Sequence, residues 1–175
     1  MDPVRADADE STFSDVHRKI AKVIFGFAFV VVIIAISLSA FGSRSTSAAD
    51  CAKLGGIKSR STDQCFIHVN EEKTFIQAEL LCEAKFGGHL ASIHSGFDNL
   101  YVADFSRELF PYVDQYYIGL ATVHDNKEMW QDGTQLDYTN FGSKLETGKC
   151  TTVDMESAKW YEIDCFTKAC FVCSV

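Results

Sequence analysis

Proline is scarce in this sequence: Pro3 and Pro111 are the two prolines in 175 residues. The sequence has no Asn-x-Ser/Thr sequon, so N-glycosylation of the chain is not expected. The five histidines show no HExxH or comparable metal-binding spacing, and no serine lies in a Gly-x-Ser-x-Gly elbow. Because the carboxylates form no paired acid/base pattern either, we expect no enzyme activity, no catalytic residue and no metal-ligating residue.

Positive charge is also in deficit, with 16 Lys and Arg against 24 Asp and Glu and a net charge of −8. Residues 42–175 alone carry twelve basic and nineteen acidic side chains. An acidic surface repels phosphate backbones, so nucleic acid is not an expected partner.

One long apolar run is present at residues 23–41, which read VIFGFAFVVVIIAISLSAF without a charge or a proline. As a helix these residues would be roughly 28 Å long, close to the hydrocarbon thickness of a bilayer. A cleaved signal peptide and a buried core helix are the alternatives, and small residues near 37–40 and 47–49 would suit a signal peptidase. The length of the run and the 22 residues before it favour a retained membrane anchor.

Charge at the two ends of this run predicts its orientation. Arg18, Lys19 and Lys22 crowd the N-terminal edge, whereas Arg44 alone lies just beyond the other end. Positive flanks stay cytoplasmic, so the N-terminus is expected inside and the C-terminus outside. All seven cysteines follow the run, which agrees with an oxidising compartment for the C-terminal part.

The chain therefore divides into four segments. We predict a cytoplasmic tail at 1–22, a transmembrane signal-anchor at 23–41, a short connector at 42–50 and a folded domain at 51–175. The domain has a common size for a single core, and the connector carries no heptad that would build a coiled-coil neck.

Two helices are predicted in the domain. Residues 74–86 place Phe75, Ala78, Leu81 and Cys82 at helical spacing, with Thr74 and Gln77 as a capping box and Gly87 as the stop.

Residues 95–110 form the second predicted helix. Ser95 and Asp98 supply its cap, Leu100, Ala103 and Leu109 are the predicted apolar positions, and Pro111 ends it. Short strands are predicted at 116–120, 149–155, 159–163 and 170–175.

Five pieces of this domain, in order, resemble the C-type lectin-like domain family. They are FGGHLASI at 86–93, the Tyr117–Leu120 segment YIGL, the turn WQDGT at 130–134, Trp160 followed by Cys165, and the closing segment FVC at 171–173. The resemblance runs from about Cys65 to Cys173, and Cys51 extends it to the long form of the domain. It implies an α+β fold with two helices, short antiparallel sheets, a long loop region and disulfide staples, here behind one transmembrane helix as a single-pass type II membrane protein.

The resemblance also implies which cysteines pair: Cys82 with Cys173, Cys150 with Cys165, and Cys51 with Cys65. Cys170 is then unpaired. It is either a buried thiol, a bridge between two chains in a homodimer, or a member of a different pairing near the C-terminus. Zinc binding by Cys165, Cys170 and Cys173 is the weaker interpretation in an oxidising compartment.

The calcium chemistry of that family is incomplete in this chain. The family's loop triplet, Glu-Pro-Asn or Gln-Pro-Asp, needs a proline that the loop at 141–150 does not have. Gly148 stands where the family has a glutamate, and Tyr161 and Glu162 replace the last two residues of its Trp-Asn-Asp motif. Calcium needs six to eight oxygen ligands, so neither calcium nor another cofactor is expected.

These observations predict a plasma-membrane protein whose extracellular domain binds a protein or a glycan without calcium. The expected contact surface is the loop at 141–149 with its neighbours, namely Lys144, Glu146, Lys149, Tyr161 and Glu162. One alternative is a carbohydrate-binding lectin, anchored or secreted, that uses a degenerate calcium site or a site without metal. Another is a structural or cargo protein of the secretory pathway.

Overall fold

The computed structural model describes residues 47–123, 126–142 and 148–175. Within those ranges no helix has the length and apolar character needed to cross a bilayer. The predicted tail, the predicted span at 23–41 and most of the predicted connector lie outside the described residues. Lys144 and Glu146 of the predicted contact surface lie outside them as well.

Three helices are described: α1 (Ala48–Lys53), α2 (Phe75–Phe86) and α3 (Gly96–Leu109). Helix α1 was not predicted, and it runs across the expected boundary between residues 50 and 51. Helix α2 begins after Thr74, whose backbone N–H donates to Gln77 Oε1 at 3.3 Å, so the expected capping box is present. Gly87 ends α2 with φ of 71°, the left-handed geometry that glycine adopts without strain.

Helix α3 has the predicted cap but a different buried face. The Ser95 hydroxyl accepts the Asp98 N–H at 3.0 Å, as expected. Leu100 and Leu109, however, are 58% and 46% exposed, so two of the three predicted apolar positions do not face the core. The buried positions are Asp98, Asn99, Val102, Ala103 and Ser106.

The described strands are β1 (Ile57–Lys58), β2 (Cys65–Lys73), β3 (His89–Leu90), β4 (Gln115–Thr122), β5 (Glu128–Trp130), β6 (Cys150–Asp154), β7 (Trp160–Ile163) and β8 (Ala169–Ser174). They form one connected sheet in the order β1-β2-β8-β4-β6-β7, with β3 paired to β8 and β5 to β4. The β4–β8 pair is parallel and the other pairs are antiparallel. Short antiparallel sheets were expected, whereas the structure has one eight-stranded sheet with one parallel pair.

The two central strands separate two hydrophobic clusters. On β8, Phe171 and Cys173 enter one cluster, while Cys170 and Val172 enter the other. Strand β4 behaves in the same way, with Tyr117 on one side and Ile118 on the other. Side chains alternate along a strand, so a sheet buried on both faces needs apolar residues at every position. This explains the continuous apolar runs at 116–120 and 170–173.

Three disulfides join these elements, and they are the pairs that the resemblance implies. Cys82 on α2 bonds Cys173 on β8, Cys150 bonds Cys165, and Cys51 on α1 bonds Cys65, with Cα–Cα distances of 5.5, 5.1 and 5.5 Å respectively. These separations suit unstrained bridges.

The seventh cysteine is a buried thiol. Cys170 is 2% exposed and its Sγ donates to Asn70 Oδ1 at 3.4 Å. The structure thus contains the buried thiol and not the different pairing near the C-terminus, and the bridge between two chains stays a prediction.

Candidate functional site

The predicted contact surface lies where β6 and β7 meet the loop at 141–149. Thr151 pairs with Glu162 and Thr152 with Tyr161 across the two strands. The Lys149 N–H donates to the Ile163 carbonyl at 3.1 Å, which extends the ladder by one residue. The structure therefore brings Lys149, Tyr161 and Glu162 together on neighbouring strands.

Glycines hold both described ends of this loop against β7. A Cβ at Gly142 would lie 2.6 Å from the Tyr161 phenol oxygen, and one at Gly148 would collide with the backbone of Glu162 and Ile163. The Gly142 N–H also donates to the Trp160 carbonyl at 3.0 Å. Gly148, which in the sequence stands out only as a missing glutamate, is thus a site of close backbone approach.

The carboxylate of Glu162 is engaged by a neighbouring strand. The Thr122 hydroxyl of β4 donates to Glu162 Oε1 at 2.5 Å. The Thr122 N–H donates to the Lys149 carbonyl at 2.8 Å, which ties β4 to the end of the loop. Glu162 and Tyr161 are both half-buried, whereas Lys149 is exposed. We call Thr122, Lys149, Tyr161 and Glu162 the β4–β7 surface.

An aromatic cluster supports the base of this surface. Trp160 is fully buried, and the rings of Trp130, Tyr138 and Phe141 meet it edge to face at 5.5–5.7 Å between centroids. The Trp160 indole N–H donates to Asn99 Oδ1 at 2.7 Å. The edge-to-face ring contacts and the hydrogen bond of the Trp160 indole N–H hold the side chains of this cluster in fixed positions.

A pocket of about 450 Å³ with a mostly apolar surface lies elsewhere on the domain, and the polar residues on its wall include Gln64, His94, Asp132 and Thr134. The buried Ser92 hydroxyl donates to Asp132 Oδ2 at 2.5 Å and accepts from Gln64 Nε2 at 2.6 Å. His94 joins this network, with its Nε2 at 3.1 Å from the Ser92 hydroxyl.

The His94 imidazole joins the network to the chain after the WQDGT turn. Its Nδ1 lies 2.8 Å from Asp137 Oδ1, and this hydrogen bond lowers the pKa of Asp137. Thr134 donates to Asp132 Oδ1 at 2.6 Å, so the polar groups on this wall largely satisfy one another. Sequence reasoning did not find the pocket, because its wall comes from segments far apart in the chain.

Among the described residues, one group of carboxylates and imidazole has the proximity that a metal ion requires. It consists of Glu79, Glu83 and His89, whose ligand atoms lie within 4.8 Å of one another. None of these residues belongs to the β4–β7 surface, and none was predicted as a metal ligand.

The lectin C-type domain model matches residues 71–175, more than half of the chain. The chain belongs to the C-type lectin domain family. Proteins of this family generally bind ligands and do not act as enzymes. Two curated proteins and one solved structure show the range of relatives that this chain resembles.

The chain is 32% identical, over 152 residues, to one polypeptide of the snaclec coagulation factor IX/factor X-binding protein of Trimeresurus stejnegeri, and the match covers 83% of this chain and 93% of that one. It is 38% identical over 73 residues to lactose-binding lectin l-2 of Anguilla japonica, a match that covers 41% of this chain and less than half, 42%, of that lectin. A calcium-independent type II antifreeze protein has the same fold, with a TM-score of 0.56, 27% identity and coverage of 64% of this chain and 85% of that one.

Proposed function

We propose that this chain is a single-pass plasma-membrane protein whose C-type lectin domain faces outward and binds an extracellular protein or glycan without calcium. The apolar run at 23–41 and the basic residues before it support the anchor and its orientation. The disulfide-bonded domain supports an oxidising location.

The environment of Glu162 carries the calcium-independent part of the proposal. Its Oε1 accepts the Thr122 hydroxyl at 2.5 Å, and its neighbour Tyr161 presents a phenol where the family has an asparagine amide. Lys149, exposed at the end of the loop and hydrogen-bonded through its backbone N–H to Ile163, adds a positive charge to this surface and so opposes a second cation. Calcium prefers six to eight oxygens, and the four described residues of this surface offer one carboxylate, which already accepts a hydrogen bond.

Calorimetry on the full chain in mild detergent, with calcium chloride as titrant, tests this part directly. We expect the titration to show no stoichiometric calcium binding that depends on Glu162. A Glu162→Gln variant should give the same titration as the unchanged protein, and Glu108→Gln, an exposed carboxylate on α3, is the matched control. Stoichiometric calcium binding that disappears in Glu162→Gln alone would overturn the proposal.

Calcium-dependent carbohydrate recognition is the second candidate, and the similarity to the eel lactose-binding lectin favours a sugar as the ligand. A printed glycan array probed with the labelled full chain, with and without the calcium-selective chelator EGTA, separates the two candidates. Sugar binding that EGTA abolishes would establish a calcium-dependent lectin. Sugar binding that EGTA leaves unchanged would identify a glycan as the ligand within the proposed function.

The β4–β7 surface is the proposed contact region in either case. Lys149→Ala and Glu162→Ala should each reduce binding to the best ligand found on glycan and cell-surface protein arrays by about tenfold, the size of a modest contact residue. Lys168→Ala, an exposed lysine near β8, serves as the control. Unchanged binding in both test variants would remove this surface from the proposal.

Alkaline carbonate extraction of cells that express the chain tests the anchor. A retained span keeps the full-length protein in the membrane pellet, and surface biotinylation then labels the outward-facing domain. A shortened protein in the medium would contradict the anchor and support signal-peptide cleavage. An intracellular protein that biotin does not label would support the structural or cargo alternative.

A further inference from the structure

Two carboxylates share one face of α2. Glu79 and Glu83 are four residues apart, the spacing that stacks side chains on adjacent helical turns. Glu79 is 9% exposed, whereas Glu83 is exposed to solvent.

The turn after α2 brings an imidazole to the same face. Gly87 reverses the chain in the left-handed conformation, and Gly88 then passes so close to the Ser174 carbonyl that a Cβ would collide with it. His89 follows at once on β3, paired with Ser174. The geometry of the Gly87-Gly88 turn is therefore what sets His89 against the helix.

The three side chains meet within short distances. His89 Nδ1 lies 2.5 Å from Glu79 Oε1 and 3.8 Å from Glu83 Oε1. The second oxygen of Glu79 accepts the Leu90 backbone N–H at 2.8 Å, which directs the first oxygen at the imidazole. A backbone donor behind a carboxylate ligand is the kind of supporting contact that metal sites use.

We propose that Glu79, Glu83 and His89 form a binding site for a zinc ion. Zinc takes carboxylate oxygen and imidazole nitrogen at about 2.0–2.2 Å, and tetrahedral ligand atoms then stand about 3.3 Å apart. The present separations of 2.5 and 3.8 Å lie on either side of that value. Shifts below about 1 Å would complete the triangle, and the exposed Glu83 has room to move. Water fills the fourth position.

The donor set favours zinc over calcium. Three protein ligands that include an imidazole suit zinc, whereas calcium prefers a larger shell of oxygens. Zinc takes the place of the hydrogen between His89 Nδ1 and Glu79 Oε1, and the neutral imidazole then carries its single proton on Nε2. The frame around the site is covalently held, since Cys82 of α2 bonds Cys173, which pairs with Leu90 on β3.

The test is calorimetry with zinc chloride on the full chain, in mild detergent, with its disulfides oxidised, at pH 7.5. We expect one zinc ion per chain. His89→Asn should weaken the affinity at least 100-fold and Glu83→Gln at least tenfold. Glu108→Gln, which removes the same charge from α3, should leave it unchanged. Glu79→Gln is avoided because a buried residue can affect folding.

A thermal melt supplies a second measurement, since a ligand that binds only the folded state raises Tm. Zinc should raise the Tm of the unchanged protein and of Glu108→Gln but not that of His89→Asn. The absence of stoichiometric binding, or binding that survives in both His89→Asn and Glu83→Gln, would show a Glu–His ion pair only and overturn the proposal. The outcome is independent of the calcium and glycan experiments, which concern Glu162.

Discussion

Tyr117 shows how one side chain can replace a family residue and acquire its own role. It stands where C-type lectins usually have tryptophan, and its hydroxyl donates to the Thr167 carbonyl at 2.9 Å. Its ring meets Phe75 of α2 edge to face at 5.4 Å. Burial raises the pKa of Tyr117 to about 12, so the phenol stays protonated and remains a donor. Tyr117 therefore connects α2, β4 and the segment beside Cys165.

Cys170 gives a prediction at the same scale. Burial raises the pKa of its thiol, so the reactive thiolate is disfavoured. We expect native protein to resist iodoacetamide and to run as a monomer on a non-reducing gel. Full labelling at one cysteine should follow unfolding in urea.

A Cys170→Ser variant is the companion to that measurement. Serine keeps a donor for Asn70 but loses apolar character, so we expect a loss of about 1 kcal/mol in the free energy of unfolding. A disulfide-linked dimer band that disappears in this variant would instead establish the bridge between chains.

At the scale of elements, α3 illustrates the limit of hydrophobic periodicity. Its buried Asp98 accepts the Ser59 hydroxyl at 2.9 Å, and its buried Asn99 accepts the Trp160 indole N–H. Leu100 points outward. Burying a polar group is tolerated where it finds partners, and those partners come from segments distant in the chain. The amphipathic pattern of α3 could not reveal them.

The contact between β2 and α3 gives a pH-dependent prediction. His68 of β2 donates from Nε2 to the Val102 carbonyl at 3.2 Å and packs against the Phe110 ring at 5.7 Å. Desolvation lowers its pKa from 6.5 to about 4, partly offset by that hydrogen bond. The unfolded chain therefore takes up a proton before the folded chain does. The contribution of His68 to the free energy of unfolding is fully present above pH 6.5. It is lost as the pH drops towards 4, a change of roughly 3 kcal/mol.

Urea unfolding at pH 7.5, 6, 5 and 4 measures this effect. A His68→Gln variant retains a side-chain donor, but the new side chain does not titrate. The free energy of unfolding of the unchanged protein should therefore fall relative to that of the variant as the pH falls. The titration of groups common to both proteins cancels in the difference. A difference that stays constant across this range would contradict the assignment to His68.

At the scale of the whole molecule, the disulfides close loops of very different length. Cys82 and Cys173 are 91 residues apart, whereas Cys51 and Cys65 are 14 apart. Loop-closure entropy predicts that the first disulfide stabilises the folded domain by about 4.6 kcal/mol and the second by about 3 kcal/mol. Net stabilities of domains are about 5–15 kcal/mol, so the longer bridge accounts for a large share.

Urea unfolding at 25 °C, with both cysteines of one disulfide replaced by alanine, tests which disulfide stabilises the domain more. The Cys82→Ala/Cys173→Ala protein should lose more stability than Cys51→Ala/Cys65→Ala, and it should lie near the threshold for folding. A larger loss from the N-terminal pair would show that α1 contributes packing beyond the entropy of its short loop.

Much of the architecture could be read from local signals. Thr74, Gln77 and Gly87 mark the ends of α2, and Ser95 marks the start of α3, because caps act within a few residues. The apolar segments at 116–120 and 170–175 marked the two central strands. The parallel β4–β8 pairing and helix α1 were not predicted, since strand order and a six-residue helix leave little trace in periodicity.

The sequence alone determined where α2, α3 and the strands β4, β6, β7 and β8 lie, which family the domain resembles, and which residues are in the motif positions around Tyr161 and Glu162, whereas the nine-residue strand β2 was not predicted. Only the tertiary structure decided what those residues do. Thr122 reaches Glu162 across 40 positions, and the Gly87-Gly88 turn sets His89 against Glu79. Short-range patterns encode periodicity and caps, whereas hydrogen bonds between distant segments form only when packing brings both partners together.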